Sequence, residues 1–129
     1  MEHAKERLKI DIVLLEKTLQ TLAQALREPL TDLVRDAVIQ RFEYVFELTW
    51  KTIQIAARYM GSICNSPREA VKYAFKMGWI QNPDLWLEAM EERNKTSHTY
   101  NEAVAEEVYE TAKKFPHMAQ ELVSSLKLV

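Results

Sequence analysis

The stretch Arg93-Asn94-Lys95-Thr96-Ser97-His98-Thr99-Tyr100 places an arginine, a histidine and a tyrosine together, in a chain otherwise patterned as amphipathic helix. Arginine offers a rigid planar fork of donors suited to phosphate oxygens. Histidine is the residue type that takes up and releases a proton near neutral pH. Arg93 and His98 are therefore the minimum set for metal-free phosphodiester chemistry: the histidine moves a proton on or off a ribose oxygen, and the arginine stabilises charge on phosphorus. Tyr100 adds a hydroxyl that can donate a hydrogen bond or carry a modification. The same residue types are common at helix ends for capping reasons alone, so the spacing taken by itself reads first as a polar joint between helices.

Helix geometry limits the chemical reading. On an unbroken helix, residues advance by about 100° each, which puts Arg93 and His98 roughly 140° apart. The pair can share a small ligand only if the helix breaks, or if a second subunit supplies the facing set. A cap signal at Thr99, with Glu102 three residues on, predicts a break between Lys95 and Thr99.

The elements that position this stretch are legible as helices. Leu8, Ile12, Leu15, Leu19, Leu22 and Leu26 alternate spacings of four and three, which predicts a first helix over residues 3–27, ended by Pro29. A second helix is predicted over 30–60, with Gly61 as its cap. Its aromatic residues Phe42, Tyr44, Phe46 and Trp50 spread over more than one face, which implies two neighbours: a core helix and a second subunit. Phe42, Phe46 and Trp50 are the interface candidates. Ser66-Pro67-Arg68-Glu69 predicts a sharp helix start with a capping box, running to Gly78. Asn82-Pro83-Asp84 predicts the next start. A fifth helix follows from Thr99, with Pro116 ending or kinking it before a short last helix holding Met118, Leu122, Val123 and Leu126. The expected architecture is an all-α, up-and-down bundle of about five helices, one domain over residues 1–129.

Composition agrees. The chain has 129 residues, 47% hydrophobic and 28% charged, with two glycines and four prolines, too few turn residues for an all-β fold. The net charge of −2 argues against a basic nucleic-acid coat while leaving room for a local basic groove. Cys64 is the one cysteine, so no intrachain disulfide can form, which fits a cytoplasmic location. No signal-peptide core and no run of about 18 apolar residues appears, so no membrane association is expected.

Three motifs together resemble a known family. Arg93 to Glu102 is similar to the R-x4-H-x-Y signature of HEPN domains, and more specifically to HepT-like proteins, also called nucleotidyltransferase substrate-binding proteins. Gln40 to Lys51, an aromatic helix segment, and Ser66 to Ile80 support the same match. The resemblance implies a helical bundle similar to the helical domain of kanamycin nucleotidyltransferase. It also implies a homodimer and a cognate minimal nucleotidyltransferase as partner. In HEPN ribonucleases the Arg/His pairs of two subunits face each other and cut RNA without metal. Carried over, Arg93 and His98 would be catalytic, Asn94 a polar helper, and Tyr100 the tyrosine to which the partner adds AMP. The expectation is thus a toxin, a metal-independent endoribonuclease needing no cofactor and neutralised by its partner. The alternative is a non-catalytic substrate-binding subunit of a two-component nucleotidyltransferase.

Other candidates carry less. Glu43 and Glu47 are four apart on the second helix and read as a solvated or interface face rather than a catalytic carboxylate pair. Trp79 and Trp86 flank a helix joint and are expected to close one end of the bundle. His3 and His117 read as surface residues, and Cys64 as unreactive. No metal-ligand motif and no glycine-rich phosphate loop is present, so the chain is not expected to be the nucleotidyltransferase itself.

Overall fold

The computed structural model describes residues 2–129. It contains α1 (Glu2–Arg27), α2 (Asp32–Tyr59), α3 (Pro67–Lys76), α4 (Pro83–Asn94), a one-turn 3-10 helix (Thr96–His98) and α5 (Glu102–Leu126). The described residues are all helix and joints, the five-helix bundle that the periodicity predicts.

Local chemistry sets most of the boundaries. Thr31 caps α2 by accepting from the Val34 N–H at 3.1 Å, so this helix begins two residues later than expected. At its other end Gly61 takes φ +91°, and the Ser62 N–H closes back on the Ala57 carbonyl at 2.8 Å. Ser66 caps α3 by accepting from the Glu69 N–H at 3.2 Å. The Glu69 carboxylate returns to the Asn65 N–H at 3.3 Å, a box closed one residue further back than usual. Asn82 occupies the cap position of α4 without a side-chain cap bond.

Two expectations at the fifth helix are corrected. Its cap is Asn101, whose Oδ1 accepts from the N–H groups of Ala103 and Val104 at 3.0 and 3.3 Å; the Thr99 hydroxyl donates instead to the Thr96 carbonyl at 3.2 Å. Nor does Pro116 end the helix: α5 runs through it to Leu126, and no separate last helix exists. Buried side chains lie on both sides of the proline, Val108, Ala112 and Phe115 before it and Ala119, Leu122 and Leu126 after it. Their common burial outweighs the lost backbone hydrogen bond.

The core is organised around α2, which packs on α1, α3, α4 and α5 of the same chain. Its wide apolar arc is therefore filled from within. Phe42 and Phe46, expected at a subunit interface, are 0% and 1% exposed and lie in the core, out of reach of another subunit. Both pack on the Phe115 ring, with centroids at 5.5 and 5.6 Å, and Trp86 of α4 meets the same ring edge-on at 5.4 Å. Phe115 thereby joins three helices. Trp50 alone of the three interface candidates is only half-buried. Trp79 and Trp86 are both buried. Thr49 and Thr52 are enclosed because their hydroxyls donate to the Val45 and Leu48 carbonyls of α2 itself, at 2.6 and 2.7 Å.

This packing predicts that Phe115→Ala destabilises the fold by about 3–5 kcal/mol. Phe75→Ala, at a side chain left 49% exposed, should be far milder. Chemical denaturation of the two variants checks the contrast.

Candidate functional site

The site is built where α4 stops. Asn94 is the last residue of α4, and the chain then tightens through successive short turns: Lys95 N–H to the Glu92 carbonyl at 3.0 Å, His98 N–H to Lys95 at 2.9 Å, and Asn101 N–H to His98 at 3.1 Å. The break falls between Lys95 and Thr99, as the sequence predicts.

Two carboxylates of α2 hold this segment. Glu47 Oε2 accepts from Arg93 Nη2 at 2.7 Å and from the Trp50 indole N–H at 3.1 Å, and Glu47 Oε1 lies 3.3 Å from Lys51 Nζ. One turn earlier, the Glu43 carboxylate accepts from the Thr96 hydroxyl. The Arg93 carbonyl is also within 2.8 Å of that hydroxyl, whose single proton serves one acceptor at a time. Burial pushes the Glu47 carboxyl up; the Trp50 indole, the Arg93 guanidinium and Lys51 more than offset this, so its pKa is lowered from the ordinary value. Arg93 Nε is buried without a hydrogen-bond partner among the described residues.

Two further ion pairs brace the segment from α5. Lys95 Nζ reaches Glu92 at 2.7 Å and Glu107 at 3.1 Å; the bond to Glu92 first, then that to Glu107, raises its pKa. Arg35 of α2 grips Glu102 at the start of α5 with both terminal nitrogens, at 2.7 and 3.2 Å. The end of α4, the 3-10 turn and the first turns of α5 are thus fixed on α2.

The residues singled out by the sequence fall at this one end of the bundle but are not all joined. Arg93 is half-buried and engaged by Glu47, not by His98. His98 and Asn94 are exposed. The His98 ring stands edge-on to that of Tyr100, centroids 6.1 Å apart, and Tyr100 is 87% exposed. A small polar cavity of about 160 Å³ lies beside the turn, lined by Asp36, Ile39, Gln40, Glu43, Thr96 and Thr99. Neither Arg93 nor His98 lines it. Among the described residues no cluster of His, Cys, Asp or Glu has the arrangement of a metal site.

Sequence reading missed Glu43, Glu47 and Lys95 as the groups that hold the segment. The available signal was an acidic pair four residues apart on a helix that is otherwise largely buried. Such carboxylates need partners, and here those partners lie 53 and 46 residues downstream.

The model of the family described as nucleotidyltransferase substrate binding protein like matches residues 8–128. Among solved structures, a Thermus thermophilus protein is 32% identical, with a TM-score of 0.82, covering 88% of this chain and 98% of that one. A Haemophilus influenzae protein, described as revealing the fold of a substrate binding domain of a nucleotidyltransferase, is 23% identical, with a TM-score of 0.68, covering 95% of this chain and 98% of that one. No curated protein matches. The all-helical fold is thus that of a nucleotidyltransferase substrate-binding domain.

The Glu47 anchor has a pH signature. A carboxyl whose pKa is lowered on folding adds stability above its unfolded value, about 4.3, and that stability is lost as pH falls through the folded value. Glu47→Gln should therefore destabilise at pH 7 by about 1–2 kcal/mol, a bond to a charged group being lost. The gap to the parent should close in acid, and denaturation at pH 7 and pH 3 measures it.

Proposed function

Because this chain belongs to the nucleotidyltransferase substrate binding protein-like family, we propose that it is a non-catalytic helical subunit that presents substrate to a nucleotidyltransferase. The observation that carries this reading is the engagement of Arg93. Its guanidinium is held by Glu47 at 2.7 Å while His98 stands exposed beside Tyr100, so the two groups that would cut a phosphodiester are not assembled within one chain. What the bundle end offers is a braced surface: Asn94, His98 and Tyr100 point outward, and a polar cavity of about 160 Å³ sits next to them. In this reading the partner supplies nucleotide transfer, and the chain supplies position.

The exposure of Tyr100 favours a second reading, a HepT-type toxin whose partner is an antitoxin that modifies it. At 87% exposure the phenol oxygen is open to attack the α-phosphorus of ATP. A bond to AMP forms, pyrophosphate leaves, and the phenolic proton passes to a base. The ribonuclease activity of that reading further requires a homodimer in which a second Arg93/His98 set faces the first.

The two readings separate cleanly. The first predicts at least a ten-fold gain in nucleotide transfer when the chain is added to its partner enzyme, and no RNA cleavage by the chain alone in EDTA. Cleavage by the chain alone that His98→Ala abolishes would overturn it in favour of the second. The second also predicts an intact mass heavier by one or more AMP units after co-expression with the partner, lost in Tyr100→Phe.

A further inference from the structure

A second feature lies along the same helix, away from the 93–101 segment. The first turns of α1 and the last turns of α2 leave between them a groove of about 360 Å³, within the range of small-ligand clefts, ~300–1,000 Å³. Its lining is His3, Ala4, Arg7, Lys51, Gln54, Ile55 and Arg58. Three of these are cations and one is a histidine; among the described residues no carboxylate lines the groove. That contrasts with a chain whose net charge is −2.

The cations are only partly spoken for. Arg7 touches Asp11 through Nε, at 3.3 Å; among the described residues its terminal nitrogens take no partner, and its side chain is 67% exposed. Lys51 meets Glu47 at 3.3 Å, and its side chain is 53% exposed. Arg58 is exposed on the last turn of α2. Gln54 is fixed by the bond its Nε2 donates to the Cys64 carbonyl at 2.7 Å, which pins the α2–α3 joint to this side of α2. Ala4 and Ile55 are half-buried and give the groove an apolar floor between the cations. Cations on the walls with an apolar floor suit a ligand that carries phosphates and a flat ring.

We infer that this groove binds the phosphates of a nucleotide or oligonucleotide, through Arg7, Lys51 and Arg58. It does not depend on the function assigned to the 93–101 end. Its placement does link the two, since Glu47 contacts both Lys51 and Arg93. A phosphate chain entering at Arg58 would run along α2 toward the segment held by that carboxylate.

The test titrates the full chain at low salt with inorganic triphosphate, with ATP and with a short single-stranded RNA, following binding calorimetrically. Arg58→Glu is compared with Arg27→Glu, which makes the same charge change in the last turn of α1, outside the groove lining. Unfolding curves confirm that both variants fold. The expected result is binding weakened at least ten-fold by Arg58→Glu and less than two-fold by Arg27→Glu, and falling as salt rises. Arg7→Gln should weaken it in the same sense. ATP binding tighter than triphosphate, and losing that advantage in Ile55→Ala, assigns the floor to the base of a nucleotide; RNA binding tighter than both assigns the groove to a polynucleotide. Equal losses in the two glutamate variants, or no binding of any of the three probes, would overturn the inference.

Discussion

The Glu47 carboxylate fixes where the 93–101 segment sits on the bundle. It stands on the central helix, takes the Arg93 guanidinium and the Trp50 indole on one oxygen, and holds Lys51 on the other. Without that anchor the end of α4 would present a free arginine on a polar joint. With it, the following turn is drawn onto α2, where Glu43 takes the Thr96 hydroxyl. Arg35–Glu102 and Lys95–Glu107 then secure the start of α5. A helix with carboxylates on one edge and a buried aromatic face thus serves both the core and the site.

That division of labour explains the stability of an exposed polar segment. Phe115 ties α2, α4 and α5 together from inside, through its contacts with Phe42, Phe46 and Trp86. The polar clamps operate at the rim of this cluster; Glu47–Arg93 is partly buried on both sides, which strengthens it relative to the more exposed Lys95–Glu107 pair. His98 and Tyr100 lie beyond the clamps and are exposed to solvent. Arg93, by contrast, is held behind them on Glu47.

How much of this was legible depended on the range of the interaction. The Ser66–Glu69 box, the glycine stops at Gly61 and Gly78, and the break after Lys95 rest on residues a few positions apart, and the sequence carries them. Thr99 fails as the cap of α5 because the Thr96 carbonyl captures its hydroxyl, and Asn101, two residues on, accepts from the first N–H groups instead. Pro116 misled because its local penalty is smaller than the burial it interrupts. Phe42 and Phe46 were set at an interface because a helix apolar over a wide arc looks the same whether its neighbours come from one chain or two. The clamping partners of Glu43 and Glu47 lie 53 and 46 residues away, beyond the reach of any local pattern.

The central claim is that the 93–101 end is the face this subunit presents to a nucleotidyltransferase. The most direct measurement is hydrogen–deuterium exchange of the chain alone and in complex with that enzyme. The account predicts that slowed exchange concentrates in residues 93–104 and the facing turns of α2 near Glu43 and Glu47. Protection confined to the outer face of α1, with the 93–101 segment exchanging as in the free chain, would contradict it.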